Sequence, residues 1–174
     1  MKHLLVGLGN PGDKYRNNRH NAGFMFIDYL VKRSDSEELK NEKKFEAEIG
    51  EISLKGRKSL VAKPQSFMNR SGDVVRQIAD FYKINVENII IIHDDLDIPI
   101  GKYKVQSGTS PQLHNGITSI DKSLGTREYT RVRIGIENRG TENRPSGEDY
   151  VLSDFTLEER QVIEDLFPQI FDKI

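Results

Sequence analysis

The run Ile89-Ile90-Ile91-Ile92 narrows the fold more than any other stretch of this chain. Four consecutive β-branched residues leave no alternate position polar, so the segment does not read as a strand with one face in water. A strand that is apolar on both faces needs cover on both, and helices packed over a parallel sheet supply it. The rest of the chain offers the parts. His3-Leu4-Leu5-Val6 is a second short apolar run, and FMFIDYLVKR places Phe24, Ile27, Leu30 and Val31 at helical spacing. DVVRQIADFYKI does the same with Val74, Val75, Ile78, Phe81 and Tyr82. FEAEIGEISL and SLVAKP alternate around KGRK as a hairpin, and RVRIGIE reads as a further strand. SGTSPQLHNG leads into a short helix, GITSIDKSLG, whereas residues 34–43 read as a loop or frayed helix end and residues 141–149 as a mobile loop. In the tail, Thr156 with Glu159 three residues on forms a capping box that opens an amphipathic helix, which Pro168 is expected to kink or end. Helices interleaved with strands predict one domain over 1–174, a three-layer α/β/α sandwich with a mixed, largely parallel twisted sheet.

Composition excludes several classes of function. The chain of 174 residues has no cysteine, so disulfide and thiolate chemistry are out. No apolar run approaches the roughly 18 residues that cross a bilayer, and no secretory leader pattern opens the chain, so the expected setting is the cytoplasm, without a membrane partner. The formal net charge is −1, but it is uneven: +5 over residues 1–70, −4 over 71–100, +4 over 101–144 and −6 over 145–174. A basic face for a polyanion is therefore compatible with a neutral chain.

The chemistry concentrates where apolar runs end. GLGNPGDKYRNNRHNAGF, residues 7–24, joins a strand to a helix, the kind of connection on which an α/β sheet places its site. It contains Asn10 and His20. HDDLD follows the isoleucine run and sets Asp94, Asp95 and Asp97 at the carboxyl end of the buried strand. Asn69 and Asn115 each fall in a turn marked by Gly or Ser beside a helix start. A neutral imidazole can take a proton from water, a carboxylate can hold its tautomer, and amides can orient the water or donate to a developing oxyanion. That set needs neither a nucleophilic Ser or Cys nor a metal.

Two rivals are weaker. Gly7-Leu8-Gly9-Asn10-Pro11-Gly12 satisfies G-x-G-x-x-G after a strand, but the second strand with an acidic residue for a ribose is missing, and Pro11 stiffens the loop. His93, Asp94, Asp95 and His114 offer metal ligands, yet no HExxH or paired-histidine helix spacing is present, and adjacent strand residues point to opposite faces.

VGLGNPG, Tyr15, RHNAGF, KPQSFMNRSG, IIIIHDDLDIPIG, HNG and RVRIGI, in this order, closely resemble the bacterial-type peptidyl-tRNA hydrolase family over nearly the whole chain. The resemblance implies hydrolysis of the ester between a peptide and the terminal ribose of tRNA, without cofactor or metal, by a monomer. It further implies His20 as the base that activates water and Asp94 as the group that holds it. By the same resemblance Asn10 and Asn69 position the peptide, imidazole or water, and Asn115 binds substrate near the ester. Tyr15 and Met68 would line the groove for the peptide and terminal adenosine, and Arg133 with Lys104 would clamp a tRNA phosphate. Gln112-Leu113 stands where the family carries a glycine pair, and Gln106 where it often carries a second basic residue.

Overall fold

The computed structural model describes every residue except 1–2, 35–37, 109–110 and 112. Seven strands form one sheet in the order β2-β3-β4-β1-β5-β7-β6, with β1 His3–Gly7, β2 Lys40–Glu42, β3 Ala47–Leu54, β4 Arg57–Pro64, β5 Ile89–Pro99, β6 Tyr103–Ser107 and β7 Thr130–Glu137. The four inner strands, β4, β1, β5 and β7, are parallel, and the pairs β2–β3, β3–β4 and β6–β7 are antiparallel. The sheet is thus mixed with a parallel centre.

Period-2 alternation splits the inner strands between two cores. Leu4, Val6, Ile89 and Ile91 pack with Val74, Val75 and Ile78 of α2 (Ser71–Tyr82) and with Ile117 and Ile120 of α3 (Asn115–Leu124). Leu5, Ile92, Val132 and Ile134 pack on the other face with Phe26, Ile27 and Leu30 of α1 (Ala22–Arg33). Ile163, Leu166 and Ile170 complete that second core from the C-terminal helix Leu157–Lys173, numbered α5 after the short α4, Gly147–Val151. Helices on both faces of one sheet make the three-layer sandwich that the isoleucine run demands.

The structure differs from the sequence expectations in four places. The acids of HDDLD do not follow the strand; they lie within β5, which runs on to Pro99 and shifts register between Asp95 and Pro99. A bulge of this kind re-aims side chains beside a site. The polar stretch 34–43 contributes the edge strand β2, its residues 35–37 lying outside the described part, and the stretch 141–149 runs into α4. Finally, α5 runs through Pro168 to Lys173. Its capping box is as expected: the Thr156 hydroxyl accepts from the Glu159 N–H, and the Glu159 carboxylate accepts from the Thr156 N–H.

Candidate active site

The loops after β1 and after β4 and the middle of β5 converge beside the strand β1, whose two neighbours are reached by connections running to opposite sides. Such a switch point opens a crevice in an α/β sheet. A 3₁₀ turn, Arg19–Asn21, feeds directly into α1 and buries all three of its residues. The helix start can sit this close because it carries Gly23: a Cβ there would lie 2.3 Å from the Ile92 carbonyl oxygen and 2.5 Å from the Leu8 nitrogen.

The turn places His20 against Asp94. Nδ1 of His20 lies 2.9 Å from both carboxylate oxygens of Asp94, so it carries the hydrogen and leaves Nε2 for the cavity that His20 lines. His114 approaches the same carboxylate, its Nε2 3.0 Å from Asp94 Oδ1, while its Nδ1 accepts from the Ile117 N–H at the start of α3. In this arrangement Nε2 of His114 donates to Asp94 and its Nδ1 accepts from the helix start. Its ring lies 5.0 Å from that of His20 and 4.9 Å from that of His93. Burial alone would raise the Asp94 carboxyl, but the imidazoles of His20 and His114 reverse this and hold it well below the usual carboxylate range. For His20, burial works toward a lower value, and the charge of Asp94 with its hydrogen bond outweighs it, so the imidazole is raised above 6.5. His93 is fully buried, which together with the neighbouring His114 holds it well below its ordinary value and hence neutral.

Asn10 is locked from two sides. Its backbone N–H donates to Asn21 Oδ1 and its carbonyl accepts from Asn21 Nδ2, both at 2.9 Å. Its own Oδ1 accepts from the Met68 N–H at 3.1 Å, which leaves the Nδ2 hydrogens for the cavity that Asn10 borders. Asn69 and Asn115 are exposed and line the same space, a cavity of about 690 Å³ that also takes in Met68. Phe67, Leu113 and Leu152 give it an apolar rim, with Leu113 90% exposed. Gln112, the other half of the pair noted in the sequence, lies outside the described residues. A second cavity, about 760 Å³, lies between α1 and α5 and, among the described residues, shares Asn10 alone with the first. Its lining mixes both signs of charge and includes no histidine.

Of the nine residues singled out from the sequence, six surround one cavity: Asn10, His20, Met68, Asn69, Asp94 and Asn115. Tyr15 stands outside its lining, edge-on to Phe67 at 6.5 Å between ring centres. Lys104 and Arg133 are also outside it, paired with each other in the register of β6 and β7. Lys104 is exposed, but Arg133 is only 6% exposed and donates to Asp95 at 2.6 Å. Asp95 therefore compensates the Arg133 charge, a pairing between residues 38 apart that has no local signature. The sequence reading also missed the bond of His114 to Asp94 and the clasp of Asn21 on Asn10. His114 drew notice only as a metal ligand. Among the described residues, His20, Asp94 and His114 do form a group that could hold an ion, with ligand atoms within 4.8 Å of one another.

Sheet, switch point and buried imidazole–carboxylate pair define an α/β protein with a carboxylate-bound imidazole at the edge of an open cavity. The family model for peptidyl-tRNA hydrolase matches residues 4–174. The peptidyl-tRNA hydrolase of Frankia alni is 44% identical over 98% of this chain and 85% of its own length, and that of Lawsonia intracellularis 40% identical over 100% and 86%. The crystal structure of peptidyl-tRNA hydrolase from Acinetobacter baumannii superposes with a TM-score of 0.90 at 34% identity, covering 99% of this chain and 86% of that one. The chain belongs to the peptidyl-tRNA hydrolase family.

Proposed function

We propose that this chain hydrolyses the ester linking a peptide to the 3′-terminal ribose of tRNA, with His20 as general base. The reading is carried by the bond of His20 Nδ1 to Asp94, which leaves Nε2 at the cavity. Nε2 takes a proton from water as its oxygen attacks the ester carbonyl, and Asp94 stabilises the imidazolium that forms. The amide hydrogens of Asn10, and Asn69 beside it, steer the water and donate to the tetrahedral oxyanion. Collapse expels the ribose oxygen, which takes the proton back from Nε2. Asn115 binds next to the ester, Met68 and Tyr15 border the path of the peptide and terminal adenosine, and exposed Lys104 meets phosphate of the acceptor stem, with Arg133, tied to Asp95, backing it from the neighbouring strand. Residues 1–174 then act as one domain, as a monomer in the cytoplasm. No helix among the described residues is long and apolar enough to cross a membrane.

The proton route is preferred to a metal because each imidazole already has a hydrogen-bonded place in it: His114 bridges Asp94 and the Ile117 N–H, and His20 is oriented by Asp94. The deciding experiment is release of free tRNA from N-acetyl-aminoacyl-tRNA in the presence of EDTA. Turnover is expected; a folded chain that binds tRNA and leaves the ester intact would overturn the assignment.

Two further outcomes are expected. A base must be neutral to act, and His20 is raised above 6.5, so kcat/KM should fall as pH drops through a midpoint above 6.5. A midpoint below 6.5 would remove Asp94 as the dominant influence. Lys104→Ala should weaken tRNA binding a few-fold and flatten the plot of log Kd against log salt by about one unit, the signature of one lost phosphate contact. An unchanged slope would take Lys104 off the phosphate path.

A further inference from the structure

The residue before His20 is anchored as heavily as His20 itself. Arg19 is 5% exposed, and its guanidinium lies 4.1 Å above the Tyr150 ring and 5.4 Å from that of Phe155. It donates to Ser153 Oγ at 2.8 Å, to the Asp154 carbonyl at 2.6 Å and to Glu159 Oε2 at 2.5 Å. The backbone is stitched in the same place: Arg19 N–H donates to the Ser153 carbonyl at 3.1 Å, and Phe155 N–H to the Asn17 carbonyl at 3.0 Å. Asn18 adds a side-chain bond to Asp154 at 2.6 Å.

Glu159 is the hub. Oε2 also accepts from the Thr156 N–H at 2.9 Å, and Oε1 accepts from Asn138 Nδ2 at 3.0 Å. One carboxylate therefore ties together the first turn of α5, the segment leaving β7 toward the cavity, and the residue next to His20. Burial would raise the Glu159 carboxyl, but the bonds from Asn138 and Arg19 hold it below its usual range, so it is charged. A buried ion pair seldom contributes more to stability than apolar side chains of like volume would, whereas its directional bonds fix geometry.

We propose that Arg19 and Glu159 are positioning residues for the hydrolytic reaction, setting the 3₁₀ turn so that the His20 ring meets Asp94 with Nε2 at the cavity. This rests on His20 being the base. Consecutive Cα atoms are about 3.8 Å apart, so a tilt of Arg19 is passed directly to the ring beside it, and a misplacement of about 1 Å can cost up to about 100-fold in rate.

The test is Glu159→Gln, which keeps the size of the side chain and an oxygen for the cap while removing the charge. The control is Thr156→Ala, which removes the cap of the same helix and leaves the Arg19 pair in place. Glu159→Gln is expected to lower kcat on N-acetyl-aminoacyl-tRNA roughly tenfold with KM within about twofold. It should also move the acid limb of kcat/KM to lower pH as His20 loosens from Asp94. The limb reports His20 with Asp94 and His114 in contact; Asp95 and Asp97 of β5, Glu137 of β7 and Glu148 of α4 stand around the cavity and are unaltered. Thr156→Ala should shift neither quantity. Should Glu159→Gln fail to fold, Arg19→Lys, which keeps the charge and loses the planar fork, is expected to show the same kcat loss and the same acid shift. Wild-type kcat and acid limb in the folded variant, or equal shifts in Thr156→Ala, would overturn the proposal. The base assignment fails separately, if His20→Ala retains wild-type turnover.

Discussion

His20→Ala is expected to lower turnover of N-acetyl-aminoacyl-tRNA by about 10²- to 10⁴-fold while tRNA binding stays within a few-fold of wild type. Removing the imidazole takes away a ring nitrogen at the cavity whose partner nitrogen is held by a carboxylate. It also leaves Asp94 buried with one imidazole in place of two, so Asp94 turns wholly to His114. The drop should appear in kcat and in kcat/KM alike, since the lost interaction acts on the water and the transition state rather than on bound tRNA. Single-turnover release of tRNA, run beside a binding isotherm at fixed salt, reads both quantities. Retained activity would transfer the base role elsewhere, and His114 is the residue to examine next.

Gly23→Ala is expected to cost a large part of the protein's stability. The new Cβ would fall 2.3 Å from the Ile92 carbonyl oxygen, 2.5 Å from the Leu8 nitrogen and 2.7 Å from the Leu8 oxygen. All three are backbone atoms of neighbouring inner strands or their ends, so no side chain can swing away. Leu8 N–H also donates to Ile92 O at 2.9 Å, a bond that any separation of α1 from the sheet would stretch. Gly7 faces the same contact from the other side, where a Cβ would meet the Gly23 carbonyl oxygen at 2.3 Å. Overpacking of a core costs about 1–3 kcal/mol when side chains can adjust, and with backbone on every side we expect about 3 kcal/mol or more. For a chain of this length that is a fall in Tm of roughly 6–12 °C. Thermal unfolding followed by circular dichroism measures it, and a Tm within about 2 °C of wild type would show that α1 can lift off the sheet without loss.

What the sequence disclosed and what it withheld divide along the length scale of the interaction. The isoleucine run announced a strand covered on both faces, the glycine-rich loop announced a strand-to-helix junction, and Thr156 with Glu159 announced a helix start, because each signal lies within a few residues. The capping box gave no hint that Glu159 would also receive Arg19 from 140 residues away. The pairings of Arg133 with Asp95 and of His114 with Asp94 were hidden for the same reason: the register of β7 on β5 decides the first, and where the start of α3 comes to rest decides the second. The missed edge strand β2, Lys-Asn-Glu, is polar and fully exposed and has no pattern of its own; it is strand only because β3 offers it a ladder. Pro168 does not end α5 because Ile163, Leu166, Phe167 and Ile170 pack the helix on both sides of it, which offsets one missing backbone donor.

The place of β1 in the middle of the sheet governs how this protein is made. Leu4 pairs with Leu60 on one side and with Ile89 on the other, so β1 is made before either of the strands that flank it. At roughly 5–20 residues per second, the ribosome takes on the order of 4–17 s to deliver Ile89 after Leu4. During that interval Leu4, Leu5 and Val6 have at most one partner strand, β4, within reach, and the apolar start of α1 follows them without its full cover. Until β5 emerges β1 keeps an open edge, the kind of unpaired apolar strand that favours aggregation of a nascent chain.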